Sequence, residues 1–185
     1  MRIILPAALA LSLAVGLAWA ENTPATRVSL KGLEGVALLV EPVDAHAQQD
    51  GLSPREIHAL AQSQLEKAKI RVLSPQQQQQ LPRKPCLRIS LATSKLGTGE
   101  YLYSIQVDVV QWVASLANPA VSVGSALPMP ARTWSAAHVF GIAPAAQMKR
   151  DAHDAVRAMV DEFIDAYHKA NPSDTARSGV GARAG

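Results

Sequence analysis

The chain has 185 residues, 48% of them hydrophobic, and a single cysteine, so it is long enough for one domain with its own core and excludes an intramolecular disulfide. Its formal charge is +3, and without Arg2 the 17 remaining basic residues against 15 acidic ones give +2. A balance so near neutral gives no footing for nucleic-acid binding.

Met1 to Ala20 opens on one positive charge, Arg2, runs apolar from Ile3 to Trp19 and closes with Ala18-Trp19-Ala20, a small-x-small pattern. This is the form of a secretory signal peptide cut after Ala20. A retained span is the poorer fit: the run is short, Pro6 and Gly16 interrupt it, and polar Glu21-Asn22-Thr23-Pro24 follows at once. No cysteine stands near the cut, which excludes a lipoprotein. The expected location is therefore periplasmic or secreted, with no transmembrane segment after cleavage. Residues 21–27 read as a linker, 28–172 as a single domain, and 173–185, rich in Ser, Gly, Ala and Arg without an apolar period, as a disordered tail.

Val36 to Val40 is a short continuous apolar run, the pattern of a strand covered on both faces. Ser53-Pro54-Arg55-Glu56 then opens a helix as a capping box, and Ile57, Leu60, Ala61, Leu65 and Ala68 recur at helical spacing to about Lys69. Ile70 to Leu73 follows as a second strand. Strand, helix and strand make a crossover unit with parallel strands. Ser74-Pro75 repeats the helix start, and Gln76 to Gln80 forms one turn and a solvated connector without a function of its own.

Leu87, Ile89 and Leu91 alternate with polar neighbours in a third strand, and Gly97-Thr98-Gly99 turns it into a long fourth, Tyr101 to Val113. There Tyr101, Tyr103, Ile105, Val107, Val109 and Val113 share one parity, while Ser104, Gln106 and Asp108 share the other, so one face enters a core and the middle of the other reaches water. Ala114 to Pro130 is an irregular connection, and Arg132 to Val139 a fifth strand anchored by Trp134. From about Ala145 to Ala170, Met148, Ala152, Val156, Met159, Phe163 and Tyr167 lie within a stripe about 120° wide, a second helix that Asn171-Pro172 ends. The order β-α-β-β-β-β-α predicts an α+β fold: a two-layer sandwich, with a mixed sheet of five strands and both helices on one face.

Sites of chemistry are sparse. The outer stripe of the last helix, with Arg150 and Asp154 and then Arg157 and Asp161 at spacing four, reads as an ion-paired solvent face and not as a metal site. His46, His58, His138, His153 and His168 fall into no ligand spacing, so no metal and no cofactor is expected. No nucleophile elbow and no Gly-rich phosphate loop occurs, and no catalytic residue is assigned. Cys86 reads as a small core residue. Two surfaces remain. Leu102, Val110 and Trp112 share the parity of the polar residues of the fourth strand, a candidate partner surface. Lys67, Lys69, Arg71, Arg83, Lys84 and Arg88 are a candidate anion-binding set.

In element order, from about Val36 to Ala170, the chain resembles small exported bacterial α+β proteins, among them envelope modules of the TolB amino-terminal-domain and LptE type. That resemblance implies a non-catalytic role in envelope assembly or docking, with another envelope protein as partner, although the lipid-bearing cysteine of the lipoprotein members is missing. The alternatives are a small secreted hydrolase using residues between Ala114 and Pro130, and a binder of anionic envelope polymers.

Overall fold

The computed structural model of the protein describes residues 22–114 and 128–172. The expected signal peptide and its cut, the expected tail 173–185 and most of the 114–130 connection lie outside the described residues. In chain order the elements are α1 (Pro24–Arg27), a 3-10 turn (Val28–Leu30), β1 (Ala37–Val40), α2 (Ala45–Gln49), α3 (Pro54–Lys67) and α4 (Pro75–Gln80). There follow β2 (Cys86–Lys95), β3 (Glu100–Ala114), β4 (Pro128–Ser135), β5 (Val139–Pro144) and α5 (Ala145–Ala170).

The alternating stretch is β3, the strand that pairs with three others, β2, β4 and β5. It pairs antiparallel with β2 from Cys86↔Val110 to Lys95↔Tyr101, and the hairpin closes where the Gly99 N–H donates to the Leu96 carbonyl at 2.9 Å. Beyond β2 lies β1, parallel, from Ala37↔Cys86 to Val40↔Ile89. On the other side β3 is long enough to hold two antiparallel partners in tandem, β5 along Glu100–Ile105 and β4 along Asp108–Ala114. Apolar side chains of one parity (Leu87, Ile89, Leu91, Tyr101, Ile105, Val107, Val109) are buried under α3 and α5 together with Ile57, Leu65, Val156 and Phe163. The result is an α+β two-layer sandwich on a mixed five-stranded sheet, the predicted class.

Several elements differ from their sequence reading. The segment 70–73 makes only a single parallel bridge, Val36↔Val72, and β1 takes β2 as its main partner instead. The reason is local: Ser74 caps α4 with its side chain and Pro75 starts that helix, so the chain leaves the sheet after one pair. Nor is β1 covered on both faces, since Leu39 is 48% exposed. The fifth strand, expected over 132–139, is two strands. Between them the Ala136 N–H donates to Val107 and the Ala137 N–H to the Glu162 carboxylate at 3.1 Å, which draws the chain aside before β5 begins.

The linker expected over 21–27 belongs, from Asn22 on, to the folded unit. Asn22 donates to Glu162 at 2.9 Å and accepts from the Trp134 indole at 3.2 Å, and Thr23 and Thr26 cap α1 reciprocally. Buried Gln111 holds the same strap by donating to the Ser29 carbonyl at 3.1 Å. At α3, Ser53 caps as expected, but Glu56 reaches Lys149 at 2.7 Å instead of completing the box. On α5, Arg150 pairs with Asp151 and Arg157 with Asp154, while Asp161 accepts from Gln64 on α3.

Candidate functional site

Side chains on a strand alternate between faces, so the parity that leaves Tyr101 and Ile105 in the core sends Leu102, Ser104, Gln106, Asp108, Val110 and Trp112 to the face away from α3 and α5. Registry decides what each of them meets. Leu102 lies opposite Ile142 of β5, and Ser104 lies between Ala92 of β2 and Phe140 of β5. Leu102, Ile142 and Phe140 are 49%, 60% and 65% exposed, a cluster of large apolar side chains open to solvent. Against it runs a groove of about 360 Å³ lined by Ala92, Ser94, Leu102, Ser104, His138 and Phe140.

The middle of the face is polar. His138 Nε2 lies 2.7 Å from the Ser104 hydroxyl and 3.3 Å from the Gln106 amide, and its ring meets Phe140 edge-on at 6.1 Å between centroids. One row further, Arg88 donates to both carboxylate oxygens of Asp108 at 3.1 and 2.8 Å, and Glu41 stands 3.6 Å from the same guanidinium. Asp108 is fully buried, so this pair shields an ion in the centre of an otherwise open sheet face. The hydrogen bond to Asp108 holds the Arg88 guanidinium protonated even more firmly than usual.

Of the predicted partner surface, the structure places Leu102 in the apolar cluster and Trp112 at the far end of the same face, 39% exposed, with half-buried Val110 between Cys86 and Arg132. A bulge at Val109/Val110 leaves Thr133 of β4 as the extra residue there. Of the predicted basic set, Lys84 lies over the Trp112 ring with Nζ 4.7 Å from its centroid. Arg83 donates to the Ser29 and Lys31 carbonyls at 3.1 and 2.8 Å, and Arg88 serves Asp108. Lys67, Lys69 and Arg71 are exposed around the turn that follows α3. Cys86 sits half-buried at the start of β2 on the open face, where burial pushes its thiol up to about 11.

Sequence reasoning missed Phe140, Ile142 and the Ser104–His138 contact. The signal was there in Val139-Phe140-Gly141-Ile142-Ala143, where large and small residues alternate. Gly141 packs closely on Tyr103: a Cβ on it would lie 3.0 Å from the Tyr103 hydroxyl oxygen, so a larger residue there requires that side chain to shift by a few tenths of an ångström. Among the described residues no group of histidine, cysteine and carboxylate side chains is placed to hold a metal ion, and no helix is long and apolar enough to cross a membrane. Comparison of the chain with protein families, with curated proteins and with solved structures finds no match.

Proposed function

We propose that the protein is an exported, non-catalytic binding module of the bacterial cell envelope that docks another envelope protein on the open face of its sheet. The observation that carries this reading is the contiguous cluster of Leu102, Phe140 and Ile142, each about half exposed or more, beside an apolar groove. Isolated exposed apolar residues are ordinary, whereas a cluster rimmed by polar groups is the usual form of a contact surface. The apolar part would supply the desolvated centre of such a contact, and Ser104, Gln106 and His138 its hydrogen-bonding rim. Export is supported by the Met1–Ala20 pattern, and fusing those residues to a reporter active only outside the cytoplasm tests it directly. Docking is tested with the double variant Phe140→Asp and Ile142→Asp. Both side chains are exposed, so the fold is retained, and a partner recovered with the wild type from envelope extract is lost. Equal recovery by the variant would place the contact elsewhere.

A second reading, a small hydrolase, has one observation in its favour: the Ser104 hydroxyl lies 2.7 Å from an imidazole nitrogen at the mouth of an apolar groove. Labelling of Ser104 by a fluorophosphonate probe, abolished by His138→Ala, would support it. A chain left unlabelled by the probe would remove it.

A further inference from the structure

Among the described residues the edge of the sheet at β1 is left open over part of its length. In β1, N–H groups alternate between its two sides: Ala37 and Glu41 donate to Pro85 and Ile89 on the β2 side, while Val36 donates to Arg71 and accepts from Leu73 on the other. By the same alternation the N–H and C=O groups of Leu38 and Val40 point away from β2. The chain's own segment 71–73 begins to pair along that side and then departs into α4 at Pro75, leaving Leu38 and Val40 with no strand beside them among the described residues. A groove of about 350 Å³ runs along this edge, lined by Leu38, Leu39, Val40, Pro54, Arg55 and His58. Leu39 presents its half-exposed side chain on the opposite sheet face.

We infer that β1 accepts an extended segment of another protein as an added strand, continuing the pairing that Val72 begins, and that this segment carries an acidic side chain over Arg55 and His58. Strand addition satisfies the outward backbone groups of Leu38 and Val40, which is where such contacts get their affinity, and the alternate side-chain positions give the selectivity. On the helix side the added strand faces Leu38, Val40 and the first turns of α3. There Arg55 is exposed, while the neighbouring acid, Glu56, is taken up by Lys149 at 2.7 Å. The local field therefore favours an anionic side chain. On the other side an apolar residue of the added strand would cover Leu39. This surface is independent of the open sheet face and does not rest on docking there.

The test uses the chain from Glu21 on, which holds all the contacts described above, and two seven-residue peptides of alternating valine and threonine. One peptide has a central aspartate, the other a central lysine. Amide hydrogen exchange is followed by NMR. In the free protein the Leu38 and Val40 amides exchange fast and the Leu39 amide slowly. The aspartate peptide slows Leu38 and Val40 at least tenfold and binds roughly threefold tighter than the lysine peptide, the size expected for one exposed charge pair. Arg55→Glu, an exposed substitution, reverses that preference. Val40→Pro removes one outward N–H while keeping the β2 side of the ladder, and abolishes protection. Amides of Leu38 and Val40 already protected in the free chain, or unchanged at millimolar peptide, would overturn the proposal. Protection that grows with protein concentration and without peptide would also overturn it, in favour of a second copy of this chain at the edge.

Discussion

The Arg88–Asp108 pair allows a quantitative test of how the open face is built. The Asp108 side chain is 1% exposed and the Arg88 side chain 34%, so the two ends of one ion pair live in different surroundings. Replacing Arg88 by methionine keeps the aliphatic packing but strands a buried carboxylate, and should cost about 3 kcal/mol, the low end for breaking such a pair because water reaches the guanidinium side. Asp108→Asn leaves Arg88 able to turn to Glu41, 3.6 Å away, and to solvent. Its cost should be about 1.5 kcal/mol, the loss of one charge-assisted contact with the shape kept. With a urea slope of about 1.5 kcal/mol/M the two variants lower the unfolding midpoint by about 2 M and 1 M, at unchanged slope. The double variant Arg88→Met with Asp108→Leu should recover most of the loss, since no buried charge then remains. Equal midpoints for the two single variants, or a larger loss for Asp108→Asn, would show that Asp108 is not the desolvated member of the pair.

Three further outcomes follow from other parts of the molecule. Asp50 accepts from Lys95 at 2.7 Å and from the Tyr101 hydroxyl at 2.6 Å, and these bonds lower its pKa. A carboxyl depressed on folding contributes stability above its unfolded pKa and loses it as pH falls through the folded value. Asp50→Asn should therefore flatten the acid limb of the stability profile below pH about 4, and identical limbs would discount the contact. Cys86, at about 11, should react with a disulfide reagent at pH 8 roughly a hundredfold more slowly than an ordinary thiol; full-speed labelling of the folded chain would contradict its half-buried placement. Gly35→Ala puts a Cβ 2.4 Å from the Arg71 carbonyl oxygen, a clash with backbone, and should lower the midpoint of thermal unfolding by ten degrees or so. A midpoint within one or two degrees of wild type would mean that β1 and the 71–73 segment part easily.

What could be read from the chain and what could not divide along physical lines. The alternation from Tyr101 to Val113, the Gly97–Gly99 turn and the Ser-Pro starts at Ser53 and Ser74 are local signals, set by side-chain period and by caps within a few residues. They produced β3, the hairpin, α3 and α4 with small errors. Strand partners are not local. The apolar run at Val36–Val40 carries no mark that it pairs with Cys86–Ile89 and only touches Val72, and that choice is made by how early Pro75 turns the chain away. Asp108 had the parity of a water-facing residue, and its burial depends on Arg88 standing directly opposite in β2, a matter of registry. In the candidate site, Leu102 and Trp112 were legible because they break a polar stripe. Phe140 and Ile142 were harder to pick out, because their large-small alternation spans only the five residues between His138 and Pro144, too short a run to stand out.

The open face is tested most directly by placing a photoreactive phenylalanine analogue at position 140, at position 142 and, as a control, at Gln79 on α4, and irradiating the cells that carry the protein. Docking on this face gives one discrete crosslinked species from 140 and 142 and none from 79, and the species disappears when Leu102→Asp is added. No adduct from 140 or 142, or the same adducts from all three positions, would contradict docking on the open face.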